Sequence, residues 1–269
     1  MLTIGQITYA NCTPIFHELM KDFPADRYRM VRGVPAVLNG MLRQGEIDLC
    51  PSSSIEYGRR SDRYYLLPDL SISAIGPVKS VFLFSRVPIE ELAGQTIGLT
   101  SESETSVVLL RILLQKYHGV TARFEPTNGL DLDRFAACLL IGDTALKTAL
   151  AKPDGFCFDL GELWHAATGF PFVFALWIVR REVAERQYGE LKLLLADLLA
   201  AKQRAEGAYG EIAESSQEST WMDRKELVDY WQTISYDLTP AHQQGVCRFF
   251  RDAHDLGILP VAPELRFVT

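Results

Sequence analysis

Residues 4–16 read IGQITYANCTPIF and join a short apolar run to the start of a helix. Residues 4–9 predict a strand, and Thr13 with Pro14 predicts an N-cap followed by proline at the first helical position. The same order of strand, polar cap and helix recurs at residues 50–54, 100–106 and 141–144. This repetition predicts an α/β fold built from βαβ units around largely parallel sheets.

Apolar periodicity and glycine or proline signals predict the other elements. We expect strands at residues 47–50, 72–75, 80–84, 96–99, 139–141 and 172–179. We expect helices at residues 35–44, 107–117, 145–150, 190–204, 225–234 and 240–256, a short helix around Ile55 and Tyr57, and a turn at residues 88–92. Gly45 and Gly94 stand where a helix or turn would end.

The two pairs of strand, cap and helix predict two similar lobes. The first lobe is expected to hold residues 1–85 together with the helical residues 181–269, and the second lobe residues 86–180. On this division the chain crosses between the lobes near Ser85 and near Arg180, and the C-terminal helices fold back on the first lobe.

The composition limits the classes of function. The chain has 269 residues, 48% hydrophobic and 23% charged, with a mean hydropathy of +0.03, which indicates a folded globular protein. The net charge of -7 argues against nucleic-acid binding. The longest apolar run, around residues 170–179, is shorter than the roughly 20 residues of a membrane helix. With no basic segment before the first apolar residues, we expect a cytoplasmic protein without a membrane partner.

Cysteine and histidine spacing gives no metal motif. The five cysteines form no C-x-x-C pair, their odd number cannot complete a disulfide framework, and no H-E-x-x-H sequence occurs. We therefore expect neither a metal nor an organic cofactor.

Ligands of open α/β sheets bind beyond the carboxyl ends of the strands, where helix N-termini present free N–H groups. If the two lobes face each other, the four polar caps line one cleft, which could hold a small anion with neutral donors. The alternative is that each Ser, Thr or Asp is simply a helix cap. Asn11 stands apart, because Cys12 and Thr13 already supply the turn and the cap. Its amide either contacts a ligand or shapes the loop as an Asx-turn.

The aromatic run at residues 170–174, with Trp164, His165 and Trp177, is expected to be core rather than a ligand box. His17 is expected to be a surface or packing residue. Glu102 and Glu104 favour a helix N-terminus through its dipole, and would compete there with an anionic ligand.

Seven segments in order carry a family resemblance. They are IGQITYANCTPIF, GEIDLCPSSSIEY, GPVKSVFLFS, LTSESETSVVLLRILL, LLIGDTAL, FDLGELWHAATGFPFVFALW and ISYDLTPAHQQGVCRFF. Together they resemble the chorismate dehydratase family of the futalosine route to menaquinone over nearly the whole chain. The resemblance implies a two-lobed fold like that of type II periplasmic solute-binding proteins, used in the cytoplasm as an enzyme without a metal or cofactor.

The implied reaction removes water from chorismate to give 3-[(1-carboxyvinyl)oxy]benzoate, so the implied partner is a small molecule. Matching the motifs assigns a catalytic role to Asn11. The substrate-binding candidates are Ser53, Ser54, Ser80, Thr105 and Ser106, with Asp143 from the last polar cap. The chain departs from the family pattern at Ala10, where an aliphatic residue is usual, and at Glu104, where an arginine is usual. Losing that arginine removes one expected anion contact.

Two other functions stay open. The dihydroxynaphthoate synthase of the same route has a similar fold, but its S-P-C-P-N-D type opening is absent here. A non-catalytic binding protein for a small carboxylate is the other alternative, although its usual export signal is missing. The oligomeric state cannot be predicted.

The substrate suggests the mechanism. Chorismate can lose its ring C3 proton to form an anion conjugated with the ring carboxylate, and then lose the C4 hydroxyl, which is an E1cB path. Asp143, Glu56 and His17 are the candidate protein bases, and none is convincing. We expect the enolpyruvyl carboxylate of the substrate to take the proton, with Asn11 orienting it or the leaving hydroxyl, inside lobes that close over the substrate.

Overall fold

The computed structural model describes residues 1–22 and 27–268. Ten strands lie within those ranges: β1 (Thr3–Ile7), β2 (Arg29–Gly33), β3 (Leu49–Ser53), β4 (Tyr64–Ala74), β5 (Val81–Ser85), β6 (Thr96–Leu99), β7 (Arg123–Pro126), β8 (Ala137–Ile141), β9 (Phe156–Asp159) and β10 (Phe172–Arg180). They form two five-stranded sheets, ordered β2-β1-β3-β10-β4 and β7-β6-β8-β5-β9. We call the parts of the chain built on these sheets the first and the second lobe.

Ten α-helices accompany the strands in the described residues: α1 (Thr13–Asp22), α2 (Pro35–Gln44), α3 (Ser54–Arg60), α4 (Glu104–Ile112), α5 (Gly142–Leu150), α6 (Leu160–Thr168), α7 (Arg181–Arg186), α8 (Tyr188–Ser215), α9 (Arg224–Trp231) and α10 (Pro240–Asp255). Short 3-10 turns occupy Ala10–Cys12, Ile89–Leu92 and Gln217–Thr220, and a π-helical turn, Leu113–Tyr117, extends α4. None of the described helices is long and apolar enough to cross a membrane.

Each sheet is mixed rather than largely parallel. In the first lobe β1 runs parallel to β2 and β3, whereas β10 runs antiparallel to both of its neighbours. In the second lobe β6 runs parallel to β7 and β8, whereas β5 runs antiparallel to β8 and β9. The antiparallel strand in each sheet is the one that the chain enters from the other lobe, so its direction follows from the crossing.

The crossings differ from the expected boundaries near Ser85 and Arg180. Strand β5 pairs only within the second sheet and β10 only within the first, so the chain crosses between residues 74 and 81 and again between residues 168 and 172. Residues 81–85 therefore belong to the second lobe and residues 172–180 to the first. Both strands are apolar on both faces, and such a strand does not indicate which sheet it joins.

The C-terminal helices return to the first lobe. Helix α8 packs along α1, and its buried side chains recur at intervals of three and four residues, as at Leu191, Leu194 and Leu198. Helix α10 packs on β10 at Gly245, where an added Cβ would lie 2.2 Å from the carbonyl oxygen of Pro171. Glycine at position 245 thus lets a first-lobe helix rest directly on the second crossing.

An aromatic cluster joins the lobes beside that crossing. Trp164 on α6 is fully buried and lies edge-to-face against Phe172, with ring centroids 5.2 Å apart, and Phe172 contacts Phe249 on α10 at 5.1 Å. The prediction that Trp164 and Trp177 are core residues is confirmed, since they are 0% and 1% exposed. It is wrong for His165, Phe170 and Phe174, which are only partly buried.

Candidate functional site

A narrow cavity of about 50 Å³ lies between the two lobes. Residues of both sheets and of the turns that follow them line it: Ile7, Tyr9, Asn11, Pro35, Ser53, Ile72, Val78, Ser80, Val81, Ser103, Ser106, Ile141, Gly142, Phe174 and Ala175. None of these described lining residues is charged. Their polar groups are hydroxyls, one amide and the backbone, so the wall offers neutral hydrogen-bond partners between apolar surfaces.

Asn11 lies on the 3-10 turn between β1 and α1, and the first lobe fixes its backbone. The Tyr236 hydroxyl donates to the Asn11 carbonyl oxygen at 2.8 Å, and Trp231 Nε1 donates to the neighbouring Ala10 oxygen at 2.7 Å. The Asn11 side chain is not used in this way, because its Oδ1 is buried without a hydrogen-bond partner. A buried amide oxygen without a partner is unfavourable, so the site is suited to a ligand that satisfies it.

Four serines bring hydroxyls to the cavity from both lobes. Ser53 ends β3 immediately before α3, and Ser80 immediately precedes β5. Ser103 is the N-cap of α4: its Oγ accepts the Ser106 N–H at 3.2 Å and lies 3.0 Å from Ser106 Oγ. The first N–H groups of a helix lack intrahelical acceptors and carry a partial positive charge. The start of α4 therefore adds a favourable field for an anion.

Asn11, Ser53, Ser80 and Ser106 were predicted as site residues, and the structure brings these four to one cavity. It does not bring Ser54, Thr105 and Asp143 to the cavity wall. The Ser54 hydroxyl donates to the Val173 oxygen of β10 at 2.7 Å.

Thr105 connects the lobes. Its Oγ1 accepts the N–H of Ile55 at 3.1 Å, and Thr105 is completely buried. The acceptor for this first-turn N–H of α3 thus comes from the other lobe rather than from α3 itself. The expected contact between Thr105 and substrate is replaced by this contact, which the sequence could not indicate because the partners are 50 residues apart.

Asp143 does not cap α5, contrary to the prediction. The N-cap position is Ile141, and Asp143 Oδ1 instead accepts the N–H of Ala10 in the first lobe at 3.0 Å. Burial raises the pKa of the Asp143 carboxyl, the bond from Ala10 opposes that shift, and the Glu218 carboxylate adds to it. Asp143 therefore fixes the turn that carries Asn11.

The two other candidate bases are occupied and do not line the cavity. Glu56 is completely buried, with its oxygens 2.9 Å from the Tyr64 hydroxyl and 3.2 Å from Arg60 Nη1. His17 Nδ1 lies 3.1 Å from the Glu18 carboxylate on the same helix. Both side chains are explained by their contacts within the first lobe.

Glu104 stands where the family usually has an arginine, and it pairs with Arg59 of α3. This ion pair crosses between the lobes next to the bond from Ile55 to Thr105. Glu104 does not line the cavity. The lost arginine is thus replaced by a contact that joins α3 to α4.

Further contacts hold the lobes together. Lys147 of α5 lies 4.5 Å from the ring centroid of Trp221. Near the second crossing, Lys116 and the Tyr117 hydroxyl both donate to the buried Asp252 at 2.6 Å. The contacts of Asp143, Thr105 and Lys147 with the first lobe make the described conformation a closed one.

Tyr9 and Ser103 line the cavity but were not predicted as site residues. Tyr9 was assigned to the end of the first strand, and Ser103 was one of several polar residues before α4. A strand-end tyrosine two positions before Asn11 was the available signal for the first. Among the described residues, no group of three or more His, Cys, Asp or Glu side chains could hold a metal ion.

Comparison with known proteins gives consistent results. Residues 2–255 match the model of a family described as menaquinone biosynthesis. A curated relative from Thermus thermophilus, named chorismate dehydratase, is 35% identical over 97% of this chain and 96% of its own length. A Campylobacter jejuni protein of the same name is 30% identical over 65% of this chain and 66% of its own length.

Solved structures share the fold at low identity. A crystal structure of a protein from Archaeoglobus fulgidus superposes with a TM-score of 0.76 at 17% identity, covering 96% of this chain and 98% of that one. The periplasmic aliphatic sulphonate binding protein SsuA of Escherichia coli superposes with a TM-score of 0.64 at 15% identity, covering 96% and 93%. The two-lobed architecture is therefore that of the periplasmic binding proteins.

Proposed function

The chain belongs to the menaquinone biosynthesis family, and from that membership we propose that it is a chorismate dehydratase acting in the cavity between its lobes. The reaction is the conversion of chorismate to 3-[(1-carboxyvinyl)oxy]benzoate and water. The observation that carries the proposal is the cavity wall, where Asn11 Oδ1 is buried and unpartnered among serine hydroxyls from both lobes. Such a wall suits a small ligand with several oxygen atoms.

In this proposal, neutral hydrogen-bond donors of the cavity wall bind the two carboxylates of chorismate. Ser53 from the first lobe and Ser106 from the second hold the ring carboxylate, with the N-terminus of α4 favouring its negative charge. Hydrogen bonds to an ionised acceptor are about twice as strong as neutral ones, so no cationic residue is required at the wall. The same donors stabilise the dienolate that develops when the ring C3 proton leaves.

The substrate supplies the base. The described cavity wall offers no carboxylate or imidazole, and Glu56 and His17 are occupied elsewhere. The enolpyruvyl carboxylate is tethered to the oxygen on C3 and reaches the C3 proton through a small ring. Asn11 and Ser80 orient this group, and intramolecular positioning supplies on the order of 7 kcal/mol of the barrier reduction.

Thr105 and Asp143 act through the closed arrangement of the lobes, by bonds to α3 and to the turn that carries Asn11. Ser54 acts within the first lobe, by its bond to β10. We assign them a positioning role, because the reaction needs a site that excludes water while the carbanion-like species exists.

Incubating the purified protein with chorismate tests the function. The proposal expects the aromatic product and loss of chorismate in equal amounts, without added metal or cofactor. Turnover of the later naphthoate-pathway intermediate instead would favour the dihydroxynaphthoate synthase. Binding of chorismate without turnover would favour a solute-binding protein.

Single substitutions test the assignment of the base. Asn11→Ala should abolish turnover, while Asp143→Asn, Glu56→Gln and His17→Asn should keep a measurable rate wherever folding is intact. If one of the latter three abolished turnover with folding and product binding unchanged, and Asn11→Ala stayed active, the base would be that residue.

We further place the protein in the cytoplasm. All five cysteines are free, and Cys12, Cys50 and Cys138 are buried in that state. Unpaired cysteines are usual in reducing compartments. Fractionation of the source cells, with the protein in the periplasmic fraction, would contradict this placement.

A further inference from the structure

Tyr9 has a buried hydroxyl that makes no close hydrogen bond within the described residues, although the Glu102 carboxylate lies near it. The residue lines the cavity and is 9% exposed, and its Oη has no hydrogen-bond partner. Buried hydroxyls are normally satisfied, since leaving one unpaired costs its full desolvation. The Tyr9 hydroxyl is therefore placed to form a hydrogen bond with a ligand in the cavity.

Both lobes fix the position of the Tyr9 ring. A Cβ added at Gly142 would lie 3.1 Å from three ring atoms, so the glycine of the second lobe lets the ring lie directly against the start of α5. The next residue, Ala10, is held by Asp143 of the second lobe and by Trp231 of the first. Tyr9 Oη therefore reaches this position at the cavity wall only when the lobes are closed.

The environment keeps the phenol protonated. Burial raises the pKa of Tyr9 well above its usual value, and the nearby Glu102 and Asp143 carboxylates raise it further. At neutral pH the group is a hydrogen-bond donor and a weak acid. A weak acid is still strong enough to protonate hydroxide, because water is a weaker acid still.

We propose that Tyr9 Oη donates its proton to the C4 hydroxyl of chorismate as the C4–O bond breaks. This inference rests on the proposed dehydratase function and adds a general acid to it. Hydroxide is a poor leaving group, and the other hydroxyls at the described cavity wall, those of the serines, are assigned to the carboxylates of the substrate or to the cap of α4.

The step balances within the site. The C3–H electron pair enters the ring, and the enolpyruvyl carboxylate takes the C3 proton. The ring electrons then expel the C4 oxygen with its bonding pair, and the Tyr9 proton converts it to water. The enolpyruvyl carboxylic acid returns its proton to the tyrosinate, directly or through the released water. Chorismate has then lost one H⁺ and one OH⁻, and the enzyme is restored.

The variant Tyr9→Phe tests the proposal with a fluorine analogue of the substrate. The substitution keeps the ring against Gly142 and removes only the hydroxyl. We expect kcat on chorismate to fall about 100-fold or more, with KM within about threefold of the unmodified enzyme. On chorismate bearing fluorine in place of the C4 hydroxyl, the leaving fluoride needs no protonation, so the two enzymes should differ by less than about threefold.

The controls separate this proposal from a structural effect and from the proposed function. Tyr28→Phe removes a phenol whose hydroxyl donates to Asp197, at a place that does not line the cavity, and should leave kcat unchanged. The melting temperature of Tyr9→Phe should not fall, because an unpaired hydroxyl is removed. Equal losses on both substrates, or a kcat on chorismate within threefold of the unmodified enzyme, would overturn the proposal. If the unmodified enzyme made no aromatic product, the dehydratase function itself would fail instead.

Discussion

The backbone N–H of Ala10 in the first lobe donates to Asp143 Oδ1 in the second at 3.0 Å. Ala10 directly precedes Asn11, and the Asp143 side chain reaches it across the cleft, 133 positions along the chain. The turn that carries the proposed catalytic amide is therefore complete only when the lobes meet. In this arrangement, closing the lobes also fixes the turn that carries Asn11.

Substitution of Asp143 tests that coupling. Asp143→Ala leaves the Ala10 N–H without an acceptor, which costs about 1–3 kcal/mol and should lower kcat/KM about tenfold or more. Asp143→Asn keeps an acceptor oxygen and should retain most of the activity. Steady-state kinetics on both variants decide the matter, and equal activity of the alanine variant and the unmodified enzyme would contradict the coupling.

Asp143 also gives a prediction about pH. Burial raises its pKa in the folded state above the ordinary value of 3.8. The folded state then holds more protons than the unfolded state between these two pKa values, so the contribution of Asp143 to stability falls as the pH rises through that window. Urea unfolding from about pH 4 to about pH 7 should show the unmodified enzyme losing stability relative to Asp143→Asn. A constant difference would mean that the pKa is not raised.

Thr105 is predicted to act through α3 rather than through the substrate. Thr105→Val keeps the side-chain shape but removes the acceptor for the buried Ile55 N–H, at a cost of about 1–3 kcal/mol. KM should rise and the closed form should weaken. Thr105→Ser restores an acceptor and should recover both. If the valine variant matched the unmodified enzyme in KM and in melting temperature, the contact between Ile55 and Thr105 would have no role in closure.

Local signals in the sequence predicted some elements to the residue. Helix α2 was predicted at its observed bounds, Pro35–Gln44, because proline at its start and Gly45 after its end are local signals. Gly45 has a φ of 80°, the left-handed conformation that a helix terminator adopts. Strand β6 was likewise predicted at its observed bounds.

Elements without such signals were missed. Strand β2 is an edge strand, and its sequence RMVRG, with arginine at its first and fourth positions, lacks the apolar alternation that predicts a strand. Strands β7 and β9 are four-residue edge strands, and α6 was not predicted.

The sequence predicted which residue types form the site, but it did not predict which partners those residues contact. Ser53 ends a strand, Ser80 directly precedes one, and Asn11 and Ser106 lie in the turn or first helical turn that follows one. These local features predict positions near the cleft. Which caps face a ligand and which face the other lobe depends on pairs distant in sequence, such as Thr105 with Ile55. The role of Tyr9 depends on its burial, which no local pattern reveals.

Lobe closure is expected to be visible in solution. The described form joins the lobes across the cleft, yet substrate must enter a cavity enclosed by both lobes, so the free enzyme should populate a more open form. The two crossings, at residues 75–80 and 169–171, are the expected hinges. Small-angle scattering should show a smaller radius of gyration when product is added. Identical scattering with and without product would contradict closure on the ligand.

The central claim is that the substrate removes its own proton, and the rate of C3 proton loss from a modified chorismate tests it most directly. The modification converts the enolpyruvyl carboxylate to its carboxamide, which keeps the size of the group but cannot act as a base. We predict that the carboxamide competes with chorismate for the cavity while its C3 proton is lost at least about 1000-fold more slowly. Loss of that proton within about tenfold of the rate for chorismate would show that a group of the protein is the base.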